Sequence, residues 1–188
     1  MPGRAEPIRL AFRIGNIPFE DTRIPFTEWG QKKATFPFGT VPVLEVDGKK
    51  LGNSNTILQY VGKLAGLAPG DLFQFAKVDE FLSVLEDYMT ALFGGIKKAA
   101  PEDKPAFIAE FVKTTSPHFL GLLEKTAVAN GGPYAVGSAL TVADLKLYVL
   151  IGTINAGMPF PQPGIWDATP TLLSIHKLVQ EKVDSLPK

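Results

Sequence analysis

Residues 38–60 read FGTVPVLEVDGKKLGNSNTILQY. Val41-Pro42-Val43-Leu44-Glu45-Val46 has the apolar, β-branched character of a short strand. Asp47-Gly48 is a two-residue hairpin signal, and Lys49-Lys50-Leu51 begins the returning strand. Ser54 is in place to cap a helix whose apolar positions are Ile57, Leu58, Val61 and Leu64. Pro42 has no N–H to give to a ladder, so it belongs where the strand begins or where a cis bond turns the chain. Either way Val41 is held extended, with its N–H and C=O free to pair with a peptide. Asn53 and Ser54 stand at a helix N-terminus, whose unpaired N–H groups attract a carboxylate. A receptor for a short peptide with a free carboxylate fits these residues; so does an ordinary hairpin followed by a capped helix.

Working outward, residues 4–15 read as a helix stopped by Gly15-Asn16. Phe19–Ile24 alternates loosely and is expected to be a strand, and residues 28–35 a short helix or irregular segment. Pro69-Gly70 marks a linker. Beyond it Phe75, Val78, Phe81, Leu82, Leu85, Tyr88, Met89 and Leu92 recur at helical spacing, with a break expected near Gly94-Gly95. A second amphipathic stretch follows Pro101–Lys104, and Pro117 either interrupts it or marks a new start. After the Asn130-Gly131-Gly132-Pro133 loop, residues 141–155 form the most apolar helix. Thr141 caps it, with Asp144 at the third helical position, so Asp144 reads as a helix-start residue and not as a catalytic acid. Residues 156–168 read as a loop and Leu172–Val183 as a last helix.

The chain of 188 residues is 45% apolar and 20% charged, in the globular range, with 19 basic and 19 acidic side chains. No basic stripe suggests nucleic acid, no apolar run is long enough to span a membrane, and no secretory core opens the chain. With no cysteine and only His118 and His176, disulfides, thiolate sites and a metal centre are not expected. A cytoplasmic location is compatible with this composition. Both histidines read as structural or surface residues.

The ordered set Gly3-Arg4-Ala5-Glu6 through Arg9, Trp29 with Lys33, Pro37-Phe38-Gly39, Val41-Pro42-Val43-Leu44, Asp47-Gly48, Asn53-Ser54 with Ile57 and Tyr60, and Leu140-Thr141-Val142-Ala143-Asp144 resembles the glutathione transferases. The Gly3–Glu6 opening is most similar to the sigma-like branch. The resemblance implies a thioredoxin-like α/β domain over residues 1–66 and an all-helical domain over 71–188. It implies that the family's first strand and thiol-activating tyrosine fall before Met1. Arg4, near the thiol, is then the candidate catalytic residue. Weak transfer by the chain as given is expected.

The same resemblance supplies a site. Val41, beside Pro42, pairs its backbone with the cysteinyl part of glutathione. Asn53 and Ser54 hold the γ-glutamyl end, Asn53 standing where glutamine is usual. Trp29 and Lys33 meet the glycyl end, and Thr40 replaces a more usual glutamine or lysine. Asp87 reaches the ligand of a homodimer partner. Met89, Phe93 and Ile154 are expected in an apolar electrophile pocket between the domains. Packing also accounts for Trp29 and these three, and a solvated face for Lys33 and Asp87. The implied activity is conjugation of the glutathione thiol to small apolar electrophiles, with isomerase or peroxidase side activity. The alternative is a non-catalytic glutathione-binding or structural protein of the same fold.

Overall fold

The structure, a computed structural model, describes residues 3–157 and 164–187. It divides into two compact units, one reaching Ala68 and including Leu186, the other Pro69–Ser185.

In the first unit a 3-10 turn, Gly3–Ala5, leads into α1, Glu6–Ile14, which buries Ile8, Leu10, Ala11 and Phe12. Gly15 ends it where a Cβ would lie 2.6 Å from the Cβ of Ala65, so only glycine lets the end of α1 approach Ala65. The segment expected to be a strand, Phe19–Ile24, is not one. Side chains fix it instead. Phe19 stacks on Phe12 with ring centroids 4.7 Å apart. Arg9 Nε donates to both oxygens of Asp21 at 3.1 Å, and Arg23 Nε donates to it at 2.8 Å. Burial pushes the Asp21 carboxyl up, but the two guanidiniums outweigh it and hold its pKa below the usual value.

After α2, Phe26–Lys32, and a 3-10 turn, Lys33–Thr35, the chain reaches the hairpin. β1, Val43–Val46, pairs antiparallel with β2, Lys49–Gly52, from Val43 opposite Gly52 to Val46 opposite Lys49. Asp47 and Gly48 both take positive φ, 50° and 73°, as a two-residue turn matching strand twist requires. The strand starts two residues later than the apolar run, because Pro42 has no N–H for the ladder; the Val41-Pro42 bond is cis. Gly52 leaves room for the Phe38 ring, 2.7 Å from where its Cβ would be.

The helix that follows, α3, Ser54–Leu64, is capped by Asn53 and not by Ser54, which is its first residue. Asn53 has φ 71° and ψ 119°, a backbone that asparagine tolerates better than most residues. Ile57, Leu58 and Val61 are buried as expected, whereas Leu64, in the last turn, is 56% exposed.

The second unit is all helical among the described residues. Its first helix, α4, Leu72–Lys98, is capped by Asp71, whose Oδ1 accepts from Gln74 N at 2.9 Å. It runs unbroken through Gly94 and Gly95, against the expected interruption. Gly95 is where the Phe107 ring presses onto the helix, so the glycine serves packing and not chain reversal.

From α5, Lys104–Glu110, the helical path continues through a wider π turn, Phe111–Thr115, into α6, Ser116–Asn130. Pro117 sits in the first turn of α6, where its missing N–H costs least, and the π turn relieves its clash with the preceding helix. Tyr88 and Ser116, both fully buried, share a hydrogen bond of 3.2 Å. Burial raises the Tyr88 pKa despite that bond.

The core of this unit is α7, Val142–Asn155, packed against α4 and against α8, Pro170–Asp184. Its start is the expected capping box. Asp144 Oδ2 accepts from Thr141 N at 2.7 Å and Thr141 Oγ1 at 2.9 Å, while Oδ1 accepts from Ala135 N at 2.7 Å. Burial pushes the Asp144 carboxyl up to about 6, against the pull of these bonds. Lys146, on the same helix and buried, reaches Glu86 of α4 at 2.7 Å. His176 stacks on Tyr148 at 4.9 Å and His118 is exposed. Of the expected 156–168 loop, residues 158–163 lie outside the described residues.

Candidate functional site

The hairpin and α3 together build a cleft of about 490 Å³ in the first unit. It is lined by Pro37, Phe38, Thr40, Lys50, Leu51, Gly52, Asn53 and Thr56. Local sequence places each wall. The tight turn fixes the register that sets Lys50 and Leu51 on the return strand, and the Asn53 cap aims the first turn of α3 at the cleft. Of the expected site residues, Thr40 and Asn53 line it. Trp29, Lys33, Val41, Pro42 and Ser54 belong to the same unit but are not among its lining residues.

Each of these others has a definite setting. Trp29 is half-buried on α2, its ring 5.7 Å from Phe36. Lys33 is exposed and its stem runs beside Gly39, where a Cβ would come within 3.3 Å of Lys33 Cε. Val41 is 51% exposed and precedes the ladder, which opens at Val43. Ser54 is the half-buried first residue of α3. Arg4 is exposed in the turn that leads into α1. In the second unit Asp87 is exposed on α4, Met89 and Phe93 are half-buried on the same helix, and Ile154 is buried on α7.

Sequence reasoning missed Lys50 and Thr56. Lys50 Nζ donates to Thr35 O at 3.2 Å and lies 5.8 Å from the Phe36 ring centroid, so the cation is tethered at the cleft. Thr56 is the third residue of α3, a position that closes on the cap; that spacing was the available signal. Among the described residues no acidic side chain lines the cleft. A lysine cation, a side-chain amide and the positive end of a helix make it suited to an anion with an apolar body.

Comparison with known proteins gives this geometry a context. Residues 1–63 match the family model for the glutathione S-transferase N-terminal domain, and residues 84–184 the model for the glutathione S-transferase C-terminal domain. The chain is 32% identical to human hematopoietic prostaglandin D synthase, over 96% of this chain and 86% of the relative. It is 35% identical to glutathione S-transferase 1 of Ascaris suum, over 77% of this chain and 72% of that one. Among solved structures, that of monomeric Na-GST-3 from Necator americanus superposes with a TM-score of 0.85 at 29% identity, covering 100% of this chain and 94% of that one. With a thioredoxin-like first domain and an all-helical second, the chain belongs to the glutathione S-transferase family.

Proposed function

We propose that the hairpin and the mouth of α3 grip glutathione, and that the chain acts as a transferase joining its sulfur to small apolar electrophiles. The observation that carries this is the cation-lined, acid-free cleft at the α3 N-terminus in a chain of this family. Val41 and Pro42 offer their backbone to the cysteinyl part. Asn53 and Ser54 take the γ-glutamyl end, with Thr40 beside them. Trp29 and Lys33 take the glycyl end, Lys33 by charge. The first domain, residues 1–66, is the glutathione-binding part, and the Gly3-Arg4-Ala5-Glu6 opening supports the sigma-like branch.

The chemical task is to make a thiolate, since a free thiol has a pKa of about 8.5. Arg4 is the candidate for stabilising it, by a positive charge near the sulfur. The thiolate then forms a carbon–sulfur bond to the electrophile, which releases its leaving group. Met89, Phe93 and Ile154 are proposed to contact that electrophile. Isomerase or peroxidase side activity belongs to the same proposal, as does a homodimer in which Asp87 of one copy serves the ligand of the other.

A second reading is a glutathione-binding protein without transferase activity. It is favoured by one observation: among the described residues no tyrosine lines the cleft. Two measurements separate the readings. Heat on titration with glutathione is expected under both, and its absence sinks both. Transfer to a generic aromatic electrophile is expected under the first alone. Sedimentation of the purified chain tests the dimer.

A further inference from the structure

At the C-terminal end of α1 the first unit carries a second cavity, of about 310 Å³, which shares no lining residue with the hairpin cleft. Its apolar lining includes the buried Phe12, stacked on Phe19, together with Ile17 and Leu186. The tail residues Leu186 and Pro187 belong to the first unit and supply part of the wall. The polar lining is Arg13 and Asn16, and among the described residues no acid lines this cavity.

Neither polar side chain is used up by the fold. The last carbonyls of α1 are already taken by backbone donors: Ala11 O by Gly15 N at 3.0 Å, Phe12 O by Ile17 N at 2.9 Å and Arg13 O by Asn16 N at 3.1 Å. The Arg13 guanidinium is therefore not needed to finish the helix. Its one partner among the described residues is Pro187 O, which accepts from Nη2 at 3.4 Å, near the limit for such a bond. A guanidinium has five N–H donors, so most of them are left over. The Asn16 side-chain amide has no partner among the described residues. A mostly apolar cavity with a few convergent donors, all of one kind, is the usual form of a small-molecule site.

We infer that this cavity binds a small amphipathic carboxylate. The Arg13 fork takes the carboxylate, the Asn16 amide adds a donor, and the apolar body lies against Phe12, Phe19 and Leu186. At about 30 Å³ for each water-sized group, the cavity has room for about ten non-hydrogen atoms, the size of octanoate. Nothing in this site depends on the glutathione reading.

Calorimetry with octanoate tests it, against hexanoate, which has two fewer methylenes, and octylamine, which reverses the charge. Hexanoate is expected to bind at least about fivefold more weakly, because two buried methylenes are lost. Octylamine is expected to bind at least about tenfold more weakly. Arg13→Gln should lose at least about fivefold in octanoate affinity, and Arg13→Lys should keep part of it. Leu186→Ser should weaken octanoate by about fivefold through the wall alone. Lys50→Gln, in the hairpin cleft, should bind octanoate as the unaltered chain does.

No saturable heat with millimolar octanoate overturns the inference. So does octylamine binding as well as octanoate, or hexanoate equalling it. A loss in Lys50→Gln with none in Arg13→Gln puts the ligand in the hairpin cleft and likewise overturns it. If Leu186→Ser does not fold, the two Arg13 variants and the ligand series still decide.

Discussion

Phe107 occupies the space that a side chain on Gly95 would need: a Cβ there would lie 2.0 Å from Phe107 Cζ. The ring that follows the loop after α4 is thus seated on the helix it came from. Gly94, one residue earlier, faces open space at the same position. Adjacent glycines in one helix therefore have opposite reasons to be there. Gly95→Val is expected to cost about 2 kcal/mol by overpacking, and Phe107→Leu in the same chain to recover part of it. Gly94→Ala is expected to gain about 0.5–1 kcal/mol through helix propensity. Urea unfolding of the three variants checks the signs.

Asp144 should behave as a structural acid. Its removal in Asp144→Ala strands the Thr141 and Ala135 donors in a buried site and is expected to cost about 3 kcal/mol. Glutathione affinity measured on the folded fraction should not change.

The same carboxyl sets a pH dependence. Its folded pKa of about 6 lies above the ordinary 3.8, so between these values the folded state binds more protons than the unfolded. The Asp144 contribution is therefore fully present below pH 3.8 and is lost as pH rises through about 6. Denaturation midpoints from pH 4 to 7, the chain against Asp144→Asn, should show that decline in the chain alone. A contribution that grew with pH would contradict it.

Lys33 is proposed to meet the glycyl carboxylate by charge. Lys33→Gln should weaken glutathione binding about fivefold, and Lys33→Arg should keep most of it. Equal losses in both variants would mean that the stem packed beside Gly39 matters and the charge does not.

Arg4 is proposed to favour the bound thiolate. Arg4→Gln should move the rise of transfer rate with pH upward by about one unit, with glutathione saturating throughout. A lower rate with an unmoved profile would assign Arg4 to binding alone.

Several elements were legible because their signals are local. Asp47-Gly48 announced the turn, and Thr141 with Asp144 announced the start of α7. Pro117 left two readings open, and both describe part of what is found: a new first turn reached through a π turn on a continuous path. The failures are equally instructive. Phe19–Ile24 alternates weakly, and its charges are answered by Arg9, twelve residues before Asp21, where a ladder would have been expected. Gly94-Gly95 looked like a stop because two glycines usually are one; the aromatic partner that makes Gly95 a packing site was invisible until α5 folded back. In the candidate site, Asn53 was singled out by its place at a helix start and Thr40 by the resemblance, while Lys50 entered through the hairpin register and its tether to Thr35.

The sequence by itself determined the hairpin, the apolar faces of the helices and the two-part organisation, since spacing along the chain dictates which side chains share a face. Only the tertiary structure decided why α4 passes through its glycines and which lysine lines the cleft. Those outcomes depend on atoms brought together across many residues, and the geometry of such meetings is not written in the spacing of either partner.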